Sequence, residues 1–405
     1  MRIGVYGGTF NPPHLGHITA ARAVFDLLKL DKLLLIPTGQ PPHKQLPEGS
    51  PTPEQRLEMT RLMAEETGVE TEVLDLEIHR EGRSYTSDTL ARLHEQYPGD
   101  ELWLLMGTDM FLTLQNWHAP EEILSLAGVA AFGRTEADTE ELFAVQRDYL
   151  SRAYPQARIF TLTVPGVVDV SSTELRERLR RGEGGTLLAP RVYGYILRRG
   201  LYGVSVDMKR LPLELLRPVA LTYLHHRRAP HVLGTEAEAV RLAERWGGGD
   251  PELIQKARRA ALLHDCTKRL DMEEQKALCA EHGIALDPLE QREIKLLHAK
   301  TGAAVAAAVF GEPEEIVEAI RWHTTGRADM SLLEKILYLA DYIEPTRHFP
   351  GVEDLRRRCY EDLDGGLLMG LEMTVGEMVE RGSPIHRATL EARDWLKGQR
   401  HRDEE

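Results

Sequence analysis

The sequence predicts an α/β domain built on a parallel sheet, followed by an all-α domain. Three observations carry this. Over roughly the first 200 residues, short apolar runs alternate with amphipathic helical stretches; strand-like runs cease after about Tyr202; from Leu213 onward only helical periods remain. Strands alternating with helices imply a parallel sheet covered on both faces. Ligands of such sheets bind beyond the carboxyl ends of the strands.

Taken in order, Arg2–Tyr6 reads as a strand and Ile18–Leu30 as a helix with Ile18, Ala21, Phe25 and Leu28 on one side. Lys32–Pro37 is a second strand, Glu54–Glu66 a helix and Thr71–Ile78 a strand. Ser87 caps a helix reaching Tyr97, and Leu102–Met106 is a buried strand. Val129–Phe132 and Arg158–Val164 are strands with a helix between them. The later helical periods cover Glu236–Trp246, Glu252–Leu263, Ile294–Phe310, Glu314–His323, Ser331–Ile343 and Val375–Glu380. The domains are therefore expected at 1–203 and 213–395, with a linker over 204–212 and a polar, frayed tail over 396–405.

Bulk properties exclude several classes. The 405 residues are 42% hydrophobic and 28% charged, an ordinary globular composition. No run of about 18 uncharged apolar residues occurs, so no membrane span is expected. The opening MRIGVYGG enters a strand without a signal core, which places the expected location in the cytoplasm. Cys266, Cys279 and Cys359 are odd in number and widely spaced, which suggests neither a disulfide framework nor a thiolate zinc site. The net charge of -14 argues against a broad nucleic-acid surface but permits a local basic pocket for small phosphorylated ligands. A homo-oligomer stays open, because the sequence does not give the oligomeric state.

The stretch GGTFNPPHLGH, Gly7–His17, links the first strand to the first helix. Gly7 and Gly8 allow close approach of a ligand to the backbone, and N–H groups at a helix start hold phosphates. His14 and His17, three apart, share a side and can donate to phosphate oxygens as charge builds during group transfer. A glycine-rich loop with incidental histidines is the bland alternative, and the strand–loop–helix context weighs against it. A metal pair is a further alternative, but HxxH without a nearby third ligand is a poor zinc signature. The second stretch is SSTELRERL, Ser171–Leu179, where Ser172 or Thr173 can cap a helix with Arg176 one turn inside. Alone it is equally an ordinary N-cap with a surface arginine.

Together these stretches resemble the nucleotidyltransferase superfamily that carries an HxGH and an STxxR-like signature. With PPHK at Pro41–Lys44, SYTSDTL at Ser84–Leu90 and MGTDMFLTLQNW at Met106–Trp117, the first half resembles the nicotinate-mononucleotide adenylyltransferase branch, a Rossmann-like fold. The resemblance implies ATP and Mg²⁺, with the mononucleotide phosphate attacking the α-phosphorus and pyrophosphate leaving. It implies that His14, His17 and Arg176 hold the triphosphate, and that Gly7, Gly8, Thr9, Phe10, Lys44, Asp109, Ser172 and Thr173 bind ATP or its phosphates. It implies that Tyr85, Thr86, Trp117 and Arg134 contact the pyridine nucleotide. Asn11 stands where this family usually has Asp, and GRTEAD around Arg134 departs from its pattern.

The helical half carries spaced histidines and aspartates. Ala260, Ala261 and His264 share one side of a helix end, and Leu333, Leu337 and Asp341 share a core-facing stripe. A carboxylate on such a stripe is costly unless paired or bound to a metal. A single histidine in a bundle is most often a satisfied core group; His231, His264, Asp265, His298, His323 and Asp341 in one domain are not well explained that way. RAPHVLG, LLHDCTK, LLHAKTG, RWHTTGR and YLADYIEPTR resemble an HD-type phosphohydrolase domain, and more narrowly the bacterial HD proteins that split diadenosine tetraphosphate into two ADP. The resemblance implies those six residues as metal ligands, with Asp265 catalytic. N/O ligands without thiolate fit iron or manganese, in one or two sites. Lys268 and Arg327 are candidates for substrate phosphates. The expected whole is a bifunctional enzyme acting on small nucleotides, with no nucleic acid or membrane partner. The helical half as a nucleotide sensor, or as a hydrolase of a guanosine alarmone, stays open at this point.

Overall fold

A computed structural model describes residues 1–41, 45–80, 82–133, 138–163 and 171–404. The chain divides into two compact units, Met1–Ser205 and Val206–Glu405. In the first, six parallel strands form one sheet: β1 (Arg2–Gly8), β2 (Lys32–Pro37), β3 (Thr71–Val73), β4 (Glu101–Gly107), β5 (Ala127–Gly133) and β6 (Ile159–Thr163). Their spatial order is β3-β2-β1-β4-β5-β6. The order reverses between β1 and β4, so a crevice forms at the carboxyl ends of these two neighbours.

Period-two alternation sends the apolar strand residues to two separate cores. Leu33 and Leu35 of β2 join Ile18, Ala21 and Val24 of helix Leu15–Leu28 on one face. Leu34 and Ile36 join Leu90 and Leu93 of helix Thr86–Gln96, with Phe143 of helix Glu140–Ala153, on the other. Covering on both faces is why these strands read as nearly unbroken apolar runs.

Some elements differ from the pattern. The strand expected over Thr71–Ile78 ends at Val73; Ile78 N–H then donates to Asp75 O at 3.0 Å in a turn. Here two loops meet at close range, since a Cβ at Gly39 would lie 2.2 Å from Glu77 O. The helix expected from a Ser87 cap starts at Thr86 with Tyr85 at its N-cap, and Ser87 is buried inside it. The first helix begins at Leu15, three residues earlier than its apolar period, and ends at Leu28 before Lys29 turns left-handed at φ +52°.

Among the described residues the second unit has helices and no strand. They are Leu213–Leu221, Ala229–Trp246, Pro251–Leu263, Met272–Glu281, Ile294–Ala308, Glu314–Trp322, Leu332–Ile343, Val352–Glu361, Leu363–Glu380 and Arg387–Glu404. Val232, Ala239, Ala260, Leu297, Ile320 and Leu337 are fully buried between them. Helix Leu363–Glu380 starts well before the expected Val375, because Gly365, Gly366 and Gly370 interrupt its pattern. Those glycines serve packing: a Cβ at Gly366 would approach Cys359 Sγ to 2.7 Å, at the close crossing with Val352–Glu361. Leu211, in the expected linker, is buried, and its carbonyl accepts from Arg259 Nη1 at 2.8 Å. The expected frayed tail continues helix Arg387–Glu404. No described helix is long and apolar enough to cross a membrane.

Candidate active site and metal centre

A cavity of ≈ 310 Å³ opens at the ends of β1 and β4. Of the residues singled out in the sequence, it is lined by Gly7, Gly8, Thr9, Phe10, His17, Tyr85, Thr86, Asp109, Trp117, Ser172 and Arg176. A Cβ at Gly7 would meet nothing within 4 Å, so its backbone is open to a ligand, whereas one at Gly8 would press on the Phe10 ring at 3.3 Å. Asp109 lies exposed in the first turn of the short helix Thr108–Phe111. The Tyr85 ring lies 4.4 Å from that of His118. Lys44 and Arg134 fall outside the described residues.

His14 is the N-cap of helix Leu15–Leu28 and is buried, with its ring 3.8 Å from that of His17. The main-chain N–H of His14 donates to His17 Nδ1 at 3.2 Å. With Nδ1 an acceptor, the proton of neutral His17 sits on Nε2, which makes Nε2–H a donor.

The second motif is fastened to the first. Ser171, rather than Ser172 or Thr173, caps helix Ser172–Arg180 by accepting from Glu174 N–H at 3.1 Å. Ser172 Oγ instead donates to Pro12 O at 3.4 Å. Arg176 Nη1 donates to Asn11 O at 2.8 Å, and Nη2 to Thr173 Oγ1 at 2.9 Å. Asn11 also accepts from Tyr202 Oη at 2.8 Å and donates to Ser50 Oγ at 3.1 Å, uses that an amide satisfies from both ends.

Sequence reasoning missed Arg56. It is fully buried, and its guanidinium donates to Thr9 O, Thr38 O and Gly39 O at 2.9, 2.6 and 2.8 Å. The readable signal was a cation on the same helical stripe as Met59, Thr60 and Met63, all buried. Glu77, which lines the cavity, was also missed; burial raises its carboxyl above the usual range, and Thr89 Oγ1 donates to it at 2.8 Å.

In the second unit the six singled-out His and Asp residues converge. His231 comes from helix Ala229–Trp246, with Pro230 in its first turn. His264 and Asp265 follow helix Pro251–Leu263, His298 lies in Ile294–Ala308, His323 caps Glu314–Trp322, and Asp341 lies in Leu332–Ile343. His231 with His264 and Asp265, His264 with His323 and Asp341, and Asp265 with His298 and His323 each form a compact set with ligand atoms within 4.8 Å. The two oxygens of Asp265 face different histidines: Oδ2 lies 3.4 Å from His264 Nε2, and Oδ1 lies 3.3 Å from His298 Nε2.

Tautomers are set by the outer nitrogens. His264 Nδ1 donates to Ala261 O at 2.7 Å and His323 Nδ1 to Ile320 O at 2.6 Å, so in the neutral rings it is Nε2 that carries the lone pair. Burial, with repulsion from His264 and His298, pushes His323 down to about 3, so it stays neutral. Burial would raise the Asp265 carboxyl, but the adjoining His264, His298 and Lys268 outweigh it and hold it well below the carboxylate range. His231 and His264 do the same for Asp341 against its burial.

These residues fit a divalent cation. Asp265 is buried, and its Oδ1 faces His298 Nε2 at 3.3 Å and His323 Nε2 at 4.0 Å, a convergence of oxygen and imidazole donors that suits a cation. Cations ring the cluster. Arg228 Nε donates to Asp265 Oδ2 at 2.6 Å, Arg347 Nη2 to Asp341 Oδ1 at 2.9 Å, and Lys268 Nζ to His298 Nε2 at 2.9 Å. Arg228 was not foreseen. Arg327 is engaged elsewhere, with its Nε on Glu334 Oε1 at 2.6 Å.

Comparison with known proteins matches residues 5–178 to the cytidylyltransferase-like family and residues 228–346 to the HD domain family. A probable nicotinate-nucleotide adenylyltransferase of Desulfitobacterium hafniense is 39% identical over 205 residues, 50% of this chain and 96% of that protein. A symmetrical bis(5'-nucleosyl)-tetraphosphatase of Halalkalibacterium halodurans is 40% identical over 179 residues, 44% of this chain and 91% of that protein. A crystal structure of a predicted HD superfamily hydrolase involved in NAD metabolism from Clostridium acetobutylicum aligns with 39% identity and a TM-score of 0.44, covering 47% of this chain and 98% of that one.

Proposed function

We propose, for a chain that belongs to the cytidylyltransferase-like family in its first half and to the HD domain family in its second, two separate nucleotide reactions. The first half is a nicotinate-mononucleotide adenylyltransferase-like domain. Its proposed reaction joins an oxygen of the nicotinate mononucleotide phosphate to the α-phosphorus of ATP. The bond from that phosphorus to the bridging oxygen breaks, and pyrophosphate leaves with deamido-NAD as product. The observation that carries this is the Arg176–Asn11 contact, which sets the guanidinium beside the Gly7–His17 loop at the sheet crevice. His17 Nε2–H, Arg176 and the N–H groups after β1 are donors for phosphate charge, which grows on the departing oxygens. Mg²⁺ accompanies ATP as its counter-ion. Tyr85, Thr86 and Trp117 form the apolar wall for the pyridine, and relatives of the first half are named for the nicotinate form.

For the HD half the proposed reaction is hydrolysis of diadenosine tetraphosphate at its centre. Water adds to an inner phosphorus, the central bridging P–O bond breaks, and two ADP form. His231, His264, Asp265 and Asp341 would hold one divalent ion, with His298 and His323 joining Asp265 for a second. Such an ion supplies charge neutralisation at phosphate and acidifies water. In this reading Asp265 orients the set through both oxygens, and Lys268, beside Asp265, would meet substrate phosphate. The Asp265 geometry and the tetraphosphatase relative support this reading.

The test is a product assay on the full chain. Nicotinate mononucleotide, ATP and Mg²⁺ go in one tube, and diadenosine tetraphosphate with Fe²⁺ or Mn²⁺ in another, each repeated with His17→Ala and Asp265→Ala. Deamido-NAD lost only with His17→Ala, and ADP lost only with Asp265→Ala, are the expected results. Absence of deamido-NAD from the wild type overturns the first assignment. Absence of ADP from the wild type overturns the second.

A further inference from the structure

Glu344 is a fully buried carboxylate at the residue that follows helix Leu332–Ile343. Its Oε2 accepts from Thr346 N–H at 2.6 Å, and its Oε1 accepts from Thr346 Oγ1 at 2.5 Å and from His231 Nδ1 at 3.0 Å. On the far side of that ring, His231 Nε2 lies 3.0 Å from Asp341 Oδ1 and 3.4 Å from His264 Nε2. His264 and His323 place their Nδ1–H on main-chain carbonyls, whereas His231 places it on an anion. A second feature belongs to the same contact. Gly234, three residues after His231, lies inside helix Ala229–Trp246, where glycine is disfavoured. A Cβ there would stand 2.5 Å from Glu344 Oε2. The helix gives up a side chain so that this carboxylate can reach the ring.

We infer that Glu344 is a positioning residue of the metal centre, acting through His231: by taking the Nδ1–H it leaves Nε2 as the ligating atom and holds it in the space bounded by His264, Asp265 and Asp341. A carboxylate behind a ligating histidine raises ligand basicity and locks the ring, and its loss typically costs 10–100-fold in metal affinity. The inference rests on the metal-centre reading above, and the experiment separates the two.

The affinity for Mn²⁺ is measured by chelator competition on the full chain for wild type, Glu344→Gln, His231→Ala and the double variant, with thermal unfolding of each in chelator. Glu344→Gln keeps an acceptor for Thr346 and removes the charge. The expected result is a loss of roughly 10–100-fold in affinity for Glu344→Gln. No further loss is expected when the same change is made in His231→Ala, and hydrolysis recovers as Mn²⁺ is raised. A purely structural role would instead lower affinity by the same factor in both backgrounds, which overturns the inference, as does an unchanged affinity. Gly234→Ala crowds the carboxylate without removing it and is expected to weaken Mn²⁺ too; if Glu344→Gln does not fold, unchanged affinity in Gly234→Ala overturns the inference. A wild type that binds no Mn²⁺ overturns the metal-centre reading itself.

Discussion

Arg176 Nη1 reaches the main-chain oxygen of Asn11 at 2.8 Å, joining two motifs 165 positions apart. The same guanidinium holds Thr173 Oγ1. Arg176→Lys keeps the charge but not the fork that serves both partners. The expected outcome is a fall of about 10²–10³ in kcat for deamido-NAD formation with Arg176→Ala, partly restored by Arg176→Lys. Hydrolysis of diadenosine tetraphosphate should be unaffected. Steady-state kinetics of both reactions check this.

Arg56 ties three carbonyls of two loops through its guanidinium. Replacing it by Met leaves those buried acceptors without a charged donor. Bonds of that kind contribute about 1.5–3 kcal/mol each, and the losses overlap. Arg56→Met should therefore destabilise the first unit by about 3 kcal/mol or more. Urea unfolding read through adenylyltransfer activity measures it, with the hydrolase reaction as internal control.

Metal removal should act on the second unit. A cation that binds the native cluster but not the unfolded chain stabilises by about 2.7 kcal/mol at a hundredfold excess over its Kd. A melt in chelator should fall below one in Mn²⁺, and Asp265→Ala should abolish the difference. Equal melting temperatures for the wild type under both conditions would count against a metal at this cluster.

Glu77 gives a pH signature in the first unit. Burial holds its carboxyl above the ordinary range, partly opposed by hydrogen bonds from Thr89 and Thr38. A folded pKa above the unfolded one means that the native state binds the proton more tightly. The resulting stability is complete below the ordinary carboxylate value and is lost as pH rises through the folded pKa. The stability of wild type minus that of Glu77→Gln should thus decline across the range in which pH rises from about 4.5 through the folded pKa. Denaturant midpoints for both proteins across that range provide the check, and parallel curves would refute it.

Much of the fold was readable because both period-two and helical patterns are strong where one face is dry. β2 matched its predicted bounds, Lys32–Pro37, since its alternate residues feed two cores. Leu363–Glu380 was read only in its last turns, because glycines that allow close helix crossing look like helix breakers in one dimension. The HD-half cluster was legible as a set because several of its residues follow apolar runs in sequence, as in LLHD, LLHA and LYLAD, where an ionisable group is conspicuous. Arg56, Arg228 and Glu344 were not singled out, since their partners are main-chain oxygens or side chains far away in sequence. The Ser171 cap differed from Ser172 by one position, a choice decided by backbone geometry that neighbouring hydroxyls do not reveal.

The Asn11 side chain takes its hydrogen bond from a tyrosine 191 residues further along. On the ribosome the loop that contains Asn11 emerges 165 residues before Arg176 and 191 before Tyr202. At about 5–20 residues per second, the loop waits on the order of 10–40 s for its last bonds. A nascent chain stalled anywhere before Tyr202 therefore exposes an incompletely bonded Gly7–His17 loop, and the pace of translation sets the earliest moment at which this crevice is complete.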